Sequence, residues 1–150
     1  MTKITLALLL SGFIFLTFCS DADSNISSSV TVKNAAILEV APVQKTTAAF
    51  MKIQNDAEAD DVLTGASADI AEVCELHKMV MEGEMMRMMK MDSVEIPAGK
   101  SILLKRGGLH LMLINLKREI HAGESFPLTL TFKNAGDVIV QAEVKAFDDL

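Results

Sequence analysis

Period-two alternation dominates this chain and recurs in short runs separated by turn residues. Leu128-Thr129-Leu130-Thr131-Phe132 alternates strictly, so one face packs while the other meets water. Val30-Thr31-Val32, Ala36 to Val40, Ala49 to Gln54 and Asp61 to Thr64 are further strand material. So are Val73 to Met79, Ser101 to Lys105, His110 to Leu116 and Val138 to Val144. Between the runs, Pro97-Ala98-Gly99 reads as a type I turn with Pro at its second position and Gly at its fourth. Gly107-Gly108 reads as a tight hairpin loop, and Asn134-Ala135-Gly136-Asp137 separates the last two runs. Roughly eight or nine short strands at this spacing predict an antiparallel β-sandwich or barrel without a long helix.

One segment reads two ways. Met81, Met85 and Met88 stand at i, i+4 and i+7, which would stripe a helix. The same residues alternate as a strand, with Met86, Met88 and Lys90 on one side. Gly83 weakens a helix, so the expectation is a strand pair turning near Glu82-Gly83-Glu84.

The chain has 150 residues, enough for one domain. Its first residues read as an address. Lys3 precedes an uncharged, mostly apolar run from Ile4 to Phe18, short for a membrane span and right for a signal-peptide core. Ser20 and Ala22 place small residues at −3 and −1 of a cleavage site, so residues 1–22 are expected to be a secretory signal. Leu16-Thr17-Phe18-Cys19 also resembles a lipobox whose cysteine would carry lipid, although Phe18 stands where a small residue belongs. Residues 23–30 are expected to be a flexible, Ser-rich leader, and residues 31–150 the folded domain. Cleavage after Ala22 would leave Cys74 as the single thiol, unable to form an internal disulfide.

Net charge is −6 at pH 7, with no Trp and no Tyr, which disfavours a nucleic-acid partner. Asp60-Asp61 and Asp148-Asp149 read as solvated ends. No Ser-His-Asp order, phosphate-binding glycine pattern or acid pair with a nearby base stands out, so the chain is not expected to be an enzyme.

The unusual component is methionine: ten residues, seven of them between Met79 and Met91, beside only three His. The soft and imidazole donors fall as His77-x10-Met88-x21-His110-x-Met112. Composition alone yields this four-residue pattern by chance about 3 times in 10,000, although the Met clustering makes Met88 easier to find. In an extended strand His110 and Met112 point to one side, so they would offer an imidazole and a thioether to one spot. His77 and Met88 would arrive from neighbouring strands. Thioethers select Cu(I), whereas Zn(II) favours thiolate or carboxylate and Mg(II) or Ca(II) favours oxygen. Met79 shares the face of His77 and is a candidate accessory donor.

The donor spacing resembles that of the PCuAC family of periplasmic copper chaperones. Glu75-Leu76-His77-Lys78-Met79 resembles the family's E-L-H-x-M segment. Ile96-Pro97-Ala98-Gly99, Leu103 to Leu113 and Gly123 to Phe132 resemble its later turn, K-P-G-G-x-H-x-M-L and G-x-x-x-P-L-T-L-x-F segments. Thr46 to Asn55 looks like its early strand, and the resemblance runs from Val32 to Val144. Arg106 stands where the family has Pro, and Cys74 where it has an aliphatic residue; neither removes a donor. The resemblance implies a Greek-key, cupredoxin-like fold and one Cu(I) held by His77, Met88, His110 and Met112. It further implies a periplasmic chaperone whose acceptor is the CuA centre of cytochrome c oxidase or a Sco-type protein. Contact with the membrane would come only through lipid on Cys19.

Plainer readings stand beside these. The two histidines could be ordinary strand residues and the methionines core filler or a partner-docking patch. Cys74 alternates with Leu76 and so points away from His77, as a buried inert thiol would. His121 lies in a polar turn and reads as a surface residue. The alternative function is a metal-free secreted β-sandwich module for adhesion or assembly. An electron-transfer cupredoxin would need a cysteine ligand near His and Met in one loop, and a zinc hydrolase a general base beside the donors.

Overall fold

The computed structural model describes residues 29–149. The signal segment, Cys19 and the leader before Ser29 lie outside the described residues. Ten strands follow one another: β1 Val30–Leu38, β2 Thr46–Asn55, β3 Asp61–Ala68, β4 Ala71–Glu82, β5 Met85–Met91, β6 Val94–Ile96, β7 Ser101–Leu104, β8 Leu109–Leu116, β9 Ser125–Phe132 and β10 Gly136–Lys145. A 3-10 turn, Phe147–Asp149, ends the described chain. Nine strands form one hydrogen-bonded path, β5-β4-β8-β2-β1-β10-β9-β3-β6, and β7 pairs with β2 beside it.

The expected all-β architecture is present, with one departure from antiparallel pairing. β1 and β10 run parallel, Ala36 to Leu38 beside Glu143 to Lys145. A parallel pair needs a long connection, and these two strands have nearly the whole domain between them. β1 also joins two runs that read as separate, because a bulge between Lys33 and Ala36, with Asn34 at φ 54°, lets one strand kink and continue.

The alternation works as expected. Leu128, Leu130 and Phe132 are buried in the core with Leu111 and Leu113 of β8 and Ile53 of β2. Ile96 of β6 and Leu76 of β4, from opposite ends of the path, enter the same core, so the sheet folds over on itself. Asp61 is not a solvated end. It is 2% exposed, and its carboxylate accepts hydrogen bonds from the backbone N–H groups of Val62, Asn134 and Ala135 at 2.7, 2.9 and 2.9 Å. It thereby ties the start of β3 to the β9–β10 turn.

Two turns differ from the expectation. The Pro97 turn is shifted by one residue: Lys100 N–H donates to the Pro97 carbonyl at 3.0 Å, and Gly99 takes the third position with φ 64°. A positive φ there belongs to a type II rather than a type I turn. Gly107-Gly108 does not close a hairpin. β7 and β8 both run antiparallel to β2, at Met51–Gln54 and Thr46–Ala49 respectively, so they follow one another along the same edge. Residues 105–108 loop out between them, closed by Gly108 N–H on the Lys105 carbonyl with Gly107 at φ 70°.

Candidate metal centre

The methionine-rich segment is a strand pair, not a helix. β4 and β5 form an antiparallel hairpin that turns at Gly83-Glu84, with Gly83 at φ 66°. A β-hairpin loop of two residues favours glycine where φ is positive. β4 in turn pairs with β8, and β8 with β2. The four strands therefore lie side by side, and residue parity sorts them onto two faces.

Leu76, Leu111 and Leu113 take the inner face, in the core. Glu75, His77 and Met79 of β4 take the outer face, with His110 and Met112 of β8 and Met86, Met88 and Lys90 of β5. Register then aligns them in rows. Glu75 stands opposite Met112, and His77 stands opposite His110 on one side and Lys90 on the other. Met79 stands opposite Met88, and Met81 opposite Met86.

A shallow cavity opens on this face. Ala48, Phe50, Met79, Met86, Met88, His110 and Met112 line it, with Arg106 and Gly107 of the looped-out segment at its rim. Three of the four predicted donors and the accessory Met79 thus share one cavity. His77 is not on its wall. It stands beside it, its ring centroid 6.0 Å from that of His110.

The two imidazoles are oriented by different partners. His110 is 6% exposed, and its Nδ1 lies 3.0 Å from the Gly108 carbonyl, which can only accept. The Nδ1–H tautomer follows, leaving a lone pair on Nε2. That nitrogen faces the Met88 sulfur at 3.3 Å. The Gly108 carbonyl also accepts the Met79 N–H at 3.1 Å, so one loop carbonyl fixes both the ring and the strand beside it. His77 is held the other way round. Its Nε2 lies 2.9 Å from Glu75 Oε2, while Lys90 binds the second carboxylate oxygen at 2.6 Å. The Lys90 ammonium first, then His77, holds the Glu75 carboxyl below the usual carboxylate range. Nδ1 of His77 is buried and has no hydrogen-bond partner.

A buried ring nitrogen without a partner is costly unless something else binds it. Nε2 of His110, meanwhile, meets a thioether, a weak hydrogen-bond partner, in place of a strong one. Both arrangements suit a cation-binding site. Among the described residues no three His, Cys, Asp or Glu side chains gather as a metal site, so any ion here would meet imidazole and thioether. Cys74 packs against the core from the inner face, and burial pushes its thiol up. His121 is exposed and lies 4.0 Å from Glu119.

The supports Glu75 and Gly108 were not singled out as functional from the sequence. Glu75 carried a usable signal, since two residues before His77 on a strand is the same face. Nothing in the order of residues marks the Gly108 carbonyl.

The LpqE-like lipoprotein family model matches residues 30–144. The chain belongs to the LpqE-like family. A curated relative, the Leifsonia xyli subsp. xyli protein named as lipoprotein Lxx21020, is 33% identical over 102 residues, 67% of this chain. The match spans 61% of that relative's length. Among solved structures, the solution structure of apo-DR1885 from Deinococcus radiodurans is 29% identical, with a TM-score of 0.63 over 97% of each chain. Its Cu(I) form matches 85% of each chain at the same identity, with a TM-score of 0.62. The copper-bound PCuAC domain from PmoF2 superposes with a TM-score of 0.69 at 19% identity, covering 79% of this chain and 93% of its own. At that identity the likeness is one of fold. This LpqE-like chain thus has the cupredoxin-like, all-β fold of the PCuAC domains.

Proposed function

We propose that this protein is a Cu(I)-binding metallochaperone that works outside the cytoplasm, in the periplasm, and holds one ion through His77, Met88, His110 and Met112. Its residues 1–22 would be the export signal and residues 23–29 a leader, while Val30, expected in the leader, opens β1 and belongs with residues 31–150 to the copper domain, and Cys19 is a candidate lipid attachment point. The family's description as lipoprotein-like supports export. Among the described residues no helix is long and apolar enough to cross a membrane.

The observation that carries the reading is the 3.3 Å approach of His110 Nε2 to Met88 Sδ. A ring nitrogen and a thioether sulfur this close could both bind one soft ion. Met112 shares the cavity, and His77 offers its unpartnered Nδ1 from the adjoining row. Two imidazoles and two thioethers add no charge to a monovalent ion, and thioether softness favours Cu(I). No donor here is a thiolate that an oxidising compartment could convert to a disulfide.

The work of such a protein is to hold copper tightly and release it readily. Met88 is 47% exposed, so an acceptor's ligand can displace its sulfur first and then take the remaining donors in turn. The acceptor we assign is the CuA centre of cytochrome c oxidase or a Sco-type protein. The chemistry required of the chain is ligand exchange alone, without bond cleavage in a substrate, which agrees with a non-enzymatic role.

Cu(I) titration against a chelator tests the assignment, with wild type beside His110→Ala and Met88→Ala. One tight site weakened in both variants is expected. Equal affinity in all three proteins would reject these donors.

A further inference from the structure

The β4–β5 hairpin extends beyond the core, and every residue from Met81 to Lys90 is exposed. Met81 and Met85 are 65% and 72% exposed, and Met86, Met88 and Met89 between 47% and 58%. β5 is also the end of the strand path, an edge. Edges are usually blunted by charge, because exposed apolar edges invite aggregation. Here the charged side chains pair among themselves: Arg87 binds Glu82 at 2.9 Å, and Lys90 binds Glu75. By strand parity Arg87 and Glu82 belong to the face away from His110.

On the His110 face, the outermost rows are all sulfur. Met79 stands opposite Met88, and Met81 opposite Met86. Directly opposed residues on a sheet have Cβ atoms about 5 Å apart, and successive rows on one face are spaced about 7 Å. A methionine side chain has three rotatable bonds and reaches across both distances. Leucine would cover the same apolar area, but it has no lone pair to offer.

We propose that Met81 and Met86, one row outward from Met88, form with Met79 a second, all-thioether site for a soft monovalent cation, Cu(I) or Ag(I). The proposal rests on the Cu(I) reading above and extends it to how the ion arrives. Met81 and Met86 at the exposed hairpin tip, with the half-buried Met79 at the cavity wall, take the ion first. Met88, directly across from Met79, then replaces one outer sulfur, His110 Nε2 a second and Met112 the third, which moves the ion inward. Each step exchanges one coordinate bond for another, and the ion remains Cu(I) throughout.

Ag(I), which has the same charge and softness and no accessible redox step, is the probe. It is titrated into the full chain carrying 13C-methyl methionine, and the methyl resonances are followed. The first equivalent is expected to shift Met88 and Met112, and the second Met79, Met81 and Met86. Met81→Leu with Met86→Leu conserves side-chain volume and should leave the fold and the first step unchanged. That double variant is expected to stop at one equivalent. Wild type saturating at one equivalent, or a second equivalent still taken up by the double variant, overturns the tip site and leaves the inner one standing. A first equivalent that does not move Met88 or Met112 rejects the inner site instead.

Discussion

His77 and His110 face one another across β4 and β8, yet they are held by opposite ring nitrogens. His110 gives Nδ1–H to the Gly108 carbonyl and keeps Nε2 free, whereas His77 gives Nε2–H to Glu75 and keeps Nδ1 free. Each support decides which nitrogen could reach a metal, and each does so from outside the donor set.

Glu75 should therefore matter to metal binding without touching the metal. Glu75→Ala removes the acceptor for His77 Nε2–H and leaves that ring free to rotate or change tautomer. Loss of such a supporting partner costs about 10–100-fold in metal affinity. Chelator competition with Cu(I) measures this, and circular dichroism checks that the sheet is retained. Unchanged affinity in a folded Glu75→Ala protein would show that His77 needs no orienting partner.

Asp61 makes stability depend on pH. Burial raises its pKa, but the backbone N–H groups of Asn134, Val62 and Ala135 outweigh that and leave it below the ordinary carboxylate value. A lowered folded-state value means the contribution is present above the unfolded pKa, about 3.9, and is lost as pH falls through the folded one. Asp61→Asn should cost about 2–3 kcal/mol at pH 7, since it sets an amide NH2 against backbone donors in a buried site. In urea melts the gap between wild type and variant should narrow below about pH 4. A gap of constant size down to pH 2 would count against the carboxylate as its source.

Cys74 should be unreactive and dispensable for copper. Burial raises its thiol pKa, and its side chain packs on the core face while the donors lie on the outer face. Alkylation of the native protein at pH 8 should run at least about tenfold slower than in denaturant. Cys74→Ala should bind Cu(I) like wild type. A weakened site in that variant would bring sulfur into the donor set from the inner face.

Much of this was readable along the chain because strand parity is a local property. Leu128 to Phe132 announced a packed and a wet face, and both are found. His110 and Met112, two apart, had to share a face whatever the partners. The Met79 to Met91 segment carried both periods, and Gly83 tipped it correctly towards a hairpin. Other features depend on partners distant in sequence. The Gly107-Gly108 pair has the chemistry of a hairpin turn, but pairing of β7 and β8 with the same strand makes it a loop at the cavity rim. Asp61 looked like one of a solvated pair, and only the return of Asn134 and Ala135 supplies the donors that bury it. β6 is three residues long, too short to show alternation, and it exists because β3 offers it an edge.

The order of residues by itself determined which side chains belong to one face of each strand and which soft donors the chain could bring to a metal. Register and strand adjacency decided the rest: that His77 meets His110, that Met79 meets Met88, and that His110 Nε2 points at sulfur while His77 stands just outside the cavity. The reason is range. Alternation follows from the two-residue repeat of an extended backbone, whereas a row across four strands requires hydrogen bonds between segments that only the closed sheet brings side by side.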